Sequence, residues 1–156
     1  MKKENFIHEL EQICSVVDIE ITALDKLDNE IVQGNIQFRN EDILVKFDTE
    51  KETPLMADFN ILVQQLKEIH SYYKENNYEI LVHDISRQIV SDIYQQSDMT
   101  EQELKIECDT FRKNMTLKSI EIFPSGFMLI YDIKFDKELL FVQLNTTYSI
   151  EEITIN

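Results

Sequence analysis

Ile120-Glu121-Ile122-Phe123-Pro124-Ser125-Gly126-Phe127-Met128-Leu129-Ile130-Tyr131-Asp132-Ile133-Lys134-Phe135 is the stretch from which the fold is read. Ile120 and Ile122 alternate with Glu121, the period of a strand with one buried face. Phe123–Pro124–Ser125–Gly126 suits a type I turn, because proline supplies the fixed φ of the second turn position. Beyond it Phe127, Leu129, Tyr131, Ile133 and Phe135 alternate again, so the stretch predicts a β-hairpin. Toward the C-terminus, Asp136–Lys137 turns the chain into Leu139–Leu144. Asn145–Thr147 then turns it into Tyr148–Ile155. The last quarter is therefore expected to be a four-stranded antiparallel meander.

Upstream the period changes from two to about 3.6. Phe59, Leu62, Val63, Leu66, Ile69 and Tyr73 form one helical stripe, opened by Thr53–Pro54 and Asp58 and ended at Asn76–Asn77. Val82, Ile85, Ile89 and Ile93 form a second stripe. Thr100 with Glu103 is a capping box for a third helix, which turns Leu104, Cys108 and Phe111 inward.

Closer to the N-terminus, Phe6, Ile7, Leu10, Ile13, Cys14 and Val17 make a further helical face with Asn5 as its cap. Val17, Ile19, Ile21 and Ala23 then alternate as a strand, and Asp25–Asn29 reads as a polar turn. In the next strand, Glu30–Phe38, Ile31 is out of phase with Ile36 and Phe38. Gly34 lies between them and is expected to carry a bulge that resets the parity. After a turn at residues 39–42, Ile43, Val45 and Phe47 complete a third strand.

The fold class that follows is α+β: an N-terminal helix, a three-stranded meander, three helices and the C-terminal four-stranded antiparallel meander. Grouped rather than alternating elements indicate an antiparallel sheet, with the helices mainly on one face. The 156 residues are read as a single domain, residues 1–156. Such a length buries roughly 70% of the unfolded surface and needs no disulfide or metal to fold.

The charge excludes several function classes. Thirty acidic against fifteen basic residues give a net charge of −15, and residues 1–52 are the most negative part for their length. Such a chain lacks the cationic footprint that direct nucleic-acid binding needs, and anionic membranes repel it. No apolar run follows Met1–Asn5 as in a secretory signal, and no stretch approaches a membrane span, so a cytoplasmic protein is expected.

Positive signs of chemistry are absent from the sequence. His8, His70 and His83 lie in no metal-binding spacing, so no metal site is expected. Asp25, Asp28 and Glu30 lack the glycine and spacing of a calcium loop. Carboxylate pairs such as Glu101 and Glu103, Glu107 and Asp109, or Glu151 and Glu152 are expected by chance among 30 acids. Cys14 and Cys108 sit on apolar stripes, which reads as core thiols rather than nucleophiles or a disulfide. With only Gly34 and Gly126, no glycine-rich loop can cradle a phosphate or a cofactor. A non-enzymatic chain without cofactor is expected.

The remaining signal is surface charge. Asp25, Asp28 and Glu30 flank the first strand turn, Glu41 and Asp42 the second, and Asp48, Glu50 and Glu52 follow the third strand. They are either a solvated rim or an electrostatic docking surface for a basic partner. Tyr72, Tyr78 and Tyr94 are candidate aromatic anchors, while Tyr73 falls on a core stripe. The alternating apolar edge at Tyr148–Ile155 allows a homodimer.

The N-terminal hairpin at residues 30–47, the helices over 58–113 and the closing hairpin over 120–135 together resemble small acidic bacterial domains of unknown function. Many of these serve as immunity proteins beside polymorphic or contact-dependent toxins. The resemblance implies a protein that binds one cognate toxin and blocks it, and it carries over no active-site residues; the charge implies that it does so by covering a basic surface. The alternatives are a phage or host regulatory adaptor or nucleic-acid mimic, and a small-ligand-binding domain. A pocket with convergent polar groups favours the last.

Overall fold

The computed structural model describes residues 3–16, 21–27, 31–38, 41–49, 55–93, 99–134 and 138–156. Among these the chain is α+β, with helices α1 (Lys3–Val16), α2 (Phe59–Lys74), α3 (Asn76–Ile93) and α4 (Glu101–Lys113). A 3-10 turn, Leu55–Asp58, leads into α2. The strands are β1 (Ile21–Leu27), β2 (Ile31–Phe38), β3 (Glu41–Phe47), β4 (Met115–Phe123), β5 (Gly126–Ile133), β6 (Leu139–Asn145) and β7 (Ile150–Ile155). They form one sheet in the order β1-β2-β3-β4-β5-β6-β7.

The sheet is mixed, which corrects the expected antiparallel one. β3 and β4 run parallel, with Leu44 opposite Ser119 and Phe47 opposite Ile122, and the other neighbours are antiparallel. Parallel neighbours require a crossover, and α2, α3 and α4 supply it. Alternation within a strand carries no information about its neighbour's direction, so the sequence pattern could not distinguish the two arrangements.

Two further expectations are corrected at the N-terminal strands. β2 carries no bulge at Gly34: it pairs with β3 without a break from Val32–Phe47 to Phe38–Glu41. Val32, Gly34, Ile36 and Phe38 are buried on one face, so Val32 rather than Ile31 carries the phase. The register shift falls instead in β1, between Thr22 and Asp25. Asp25 is consequently strand, paired with Gln33, and not the start of a turn. Residues 17–20, including Val17 and Ile19, lie outside the described residues, as do Asp28, Asn29, Thr53, Pro54 and Phe135.

The helices obey their local signals. Thr100 caps α4 through a complete capping box: its hydroxyl accepts from the Glu103 N–H, and the Glu103 carboxylate accepts from the Thr100 N–H. Phe6, Leu10 and Cys14 of α1 are buried, with Phe6 edge-on to Phe47 and Phe59. Leu62, Leu66 and Ile69 of α2, Ile85 and Ile89 of α3, and Cys108 and Phe111 of α4 join the same core. So do Ile36, Val45, Ile120, Leu129, Val142 and Leu144, all from one face of the sheet. All four helices therefore pack on that face.

One polar clamp ties the layers together. The Gln65 side chain of α2 is 4% exposed, and its Nε2 donates to the carbonyls of Phe123 and Pro124 in the β4–β5 turn. At the β6–β7 turn, Asn145 Oδ1 accepts from the backbone N–H groups of Thr147 and Ser149 and from the Thr147 hydroxyl. That turn holds Tyr148 at φ 65°, in the left-handed region, and its ring stacks 3.9 Å from Tyr72 at an interplanar angle of 2°. Left-handed backbone is costly for a bulky residue, and the side-chain hydrogen bonds with the stacked ring offset it here.

Candidate functional site: the uncovered sheet face and a tyrosine-floored cavity

Cross-strand partners project to the same face of a sheet. The face away from the helices therefore carries a row formed by Asn35, Leu44, Ser119, Ile130, Phe141 and Thr154. A second row beside it contains Gln33, Lys46, Glu121, Met128, Gln143 and Glu152. Ile130 is 8% exposed yet stands apart from the helix-side core, because it lies on this opposite face under Ser119 and Phe141. Leu44, Met128, Leu139 and Phe141 are half-buried. The centre of the face is thus apolar. Asp42, Asp132 and Glu152 stand exposed around it, and Lys46 sits 3.9 Å from Glu121.

The acidic residues singled out from the sequence do not form one cluster. Glu41 and Asp42 are exposed at the head of β3, and Asp48 is half-buried just past its other end. A strand of this length separates the two ends by roughly 20 Å. Asp42 lies on the uncovered face and its carboxylate accepts from the Gln37 side-chain amide. Asp48 is pushed up from the usual carboxylate range chiefly by burial, against the lowering pull of the Thr49 backbone and Lys46. Asp25 falls on β1, and Asp28, Glu30, Glu50 and Glu52 lie outside the described residues.

The tyrosines are also redistributed. Tyr78 is core, 7% exposed, and its hydroxyl is 2.8 Å from that of Tyr131. Tyr72 is half-buried against Tyr148, and its hydroxyl donates to the Asn77 carbonyl. Both are taken up by internal packing rather than offered as anchors. Tyr94 lies outside the described residues.

A cavity of about 330 Å³ opens at the end of the sheet where β3 and β4 begin. Tyr73, Tyr78 and Tyr131 line it, with Glu41, Glu79, Arg112 and Lys113 among its charged groups. Burial raises the Tyr78 and Tyr131 phenols well above their ordinary range, so both are neutral hydroxyls at any physiological pH. A second hollow of about 370 Å³ lies between α3 and α4, with His83, Arg87, Lys105 and Cys108 in its wall. Desolvation pushes the Cys108 thiol up, opposite to what an attacking thiolate needs. Cys14 is pushed up to about 11, again mainly by desolvation. Both cysteines are free and buried.

Among the described residues no group of three or more His, Cys, Asp or Glu side chains is placed to hold a metal ion. No described helix is long and apolar enough to cross a membrane. No family model matches the chain, and no curated protein or solved structure matches it either.

Proposed function

We propose that the chain is a non-enzymatic binding module of the immunity type, which seats its uncovered sheet face on a basic surface of a protein partner. One observation carries the reading: a seven-stranded sheet with every described helix on one side and an apolar centre on the other, framed by carboxylates. Leu44, Ile130, Met128 and Phe141 supply area to desolvate, and Asp42, Asp132 and Glu152 supply charge at the rim. That is the division between core and rim found in protein interfaces. Seven strands spaced about 4.8 Å apart and about 20 Å long present roughly 600 Å² in plan. A standard interface buries about 800 Å² on each partner, so the face supplies most of one side. The charge supports the same class of partner. A nuclease toxin holds polyanionic nucleic acid in a basic cleft, and a chain of net charge −15 is drawn to such a cleft.

The test is binding to the product of the neighbouring gene, followed by stopped-flow mixing at increasing salt. Association is expected to slow steeply, because exposed charges are screened within about 10 Å at 0.1 M salt. Phe141→Lys is expected to abolish binding while the melting temperature stays near that of the parent. An association rate indifferent to salt, or full binding by the Phe141 variant, contradicts the reading.

A further inference from the structure

We propose that the tyrosine-floored cavity at the head of β3 and β4 is a binding site for a compact zwitterion of the amino-acid class. Six elements meet there: the head of β3 gives Glu41, the end of α2 gives Tyr73, the first turns of α3 give Tyr78, Glu79 and Val82, and the end of α4 gives Arg112 and Lys113. The sheet closes it with Leu117 of β4 and Tyr131 of β5. The volume, about 330 Å³, lies at the lower end of the range of roughly 300–1,000 Å³ typical of ligand pockets. It is far more than the ~30 Å³ that one water occupies in the liquid.

The lining chemistry separates this cavity from a packing void. An apolar void is walled by hydrocarbon and stays dry. Here two phenols from different elements, 1% and 7% exposed, bring their hydroxyls 2.8 Å apart. A hydroxyl is both donor and acceptor, so a pair of them serves either a carboxylate or an ammonium group. The aromatic faces and Val82 supply a surface for a short apolar side chain.

Charge selects the class. Two cations, Arg112 and Lys113, and two carboxylates, Glu41 and Glu79, line the same opening. Arg112 also pairs with Asp109 one turn earlier on α4, at 3.3 Å. A simple anion would meet Glu41 and Glu79 as repulsive neighbours, and a simple cation would meet Arg112 and Lys113. A ligand that carries both signs finds a partner for each. Glu41, at the head of β3, falls in phase with the helix-side residues Ile43 and Val45, and this brings it to the cavity instead of the uncovered face. The site is independent of the sheet-face reading, and neither result below bears on that reading.

The experiment is a titration of the full chain, followed by amide shifts in two-dimensional NMR. The probe is leucine, with leucinamide and N-acetylleucine as singly charged controls. Leucine is expected to shift the signals of Tyr78, Glu79, Lys113 and Thr116. Each control is expected to bind about tenfold more weakly, the loss of one charge-assisted bond. Arg112→Gln, at a partly exposed position, is expected to weaken leucine by a similar factor and to leave leucinamide unchanged. Tyr131→Phe is a second variant, from the floor, expected to weaken leucine while retaining the parent spectrum elsewhere. No shift up to the solubility limit, shifts confined to other residues, or equal affinity for leucine and its singly charged analogues overturns the proposal.

Discussion

Gly126→Ala tests the close approach of β5 and β6. Gly126 pairs with Phe123 across β4–β5 and with Asn145 across β5–β6, so neighbouring backbone closes on it from both sides. A Cβ added there would be driven into the carbonyl oxygen of Leu144 and would lie 3.1 Å from both Asn145 Cα and the Leu144 carbonyl carbon. The obstacle is backbone within a hydrogen-bonded ladder, which cannot swing aside as a flexible side chain would. Gly126 does not use positive φ, so alanine meets no torsional penalty. Without the clash, the substitution would stabilise the chain by about 0.4–1 kcal/mol by restricting the unfolded state. Overpacking costs about 1–3 kcal/mol, and a backbone obstacle puts this case at the upper end. The net expectation is a loss of about 2 kcal/mol, which lowers the melting temperature by roughly 4–8 °C for a chain of this size. Thermal melts followed by far-UV circular dichroism, with urea titrations alongside, give the comparison. An unchanged or raised melting temperature refutes the account of the β5–β6 approach.

Two further outcomes follow from polar groups in the fold. Tyr78→Phe and Tyr131→Phe each break the bond between the two hydroxyls, at a cost of about 0.5–1.5 kcal/mol, and the double variant loses less than the sum. Strictly additive losses in urea titration contradict the 2.8 Å pairing. Asp48→Asn is expected to stabilise the chain at neutral pH. Burial raises the folded-state pKa of Asp48 above its ordinary 3.8, so the ionised carboxylate opposes folding above that window and ceases to do so below it. The gain in urea midpoint over the parent should therefore vanish as pH falls below 3.8. A gain that persists in acid shows that the burial of the carboxylate is not its source.

The α+β class and the helices were legible because their signals are local. The stripe from Phe59 to Tyr73 and the Thr100–Glu103 box need only neighbours within two turns, and the structure has both. Gln65 sits inside that stripe as an ordinary polar residue, and its burial becomes intelligible only once the β4–β5 turn lies above it. The absence of a bulge at Gly34 has no local signal, because Ile31 and Val32 are both apolar and leave the phase of β2 open to either residue. The direction of β3 against β4 left no trace in either strand. The uncovered face did leave a signal in Leu44, Met128, Ile130 and Phe141, which are apolar at positions that alternation assigns to solvent. Acidic residues counted along the chain could not locate that face, since Asp42 and Asp48 end up at opposite ends of β3. The cavity draws on six elements and has no footprint in any single segment.

The parallel join between β3 and β4 also sets an order of events during synthesis. Leu44 finds Ser119 across about 75 residues of intervening chain. At roughly 5–20 residues per second the ribosome needs on the order of 4–15 s to make that stretch. For that interval the β1–β3 unit has an unpaired strand flank carrying Ile43, Val45 and Phe47, with none of its later neighbours available. The acidic N-terminal third then acts as a gatekeeper for the nascent chain, since like charge on every emerging copy opposes edge-to-edge association until β4 arrives.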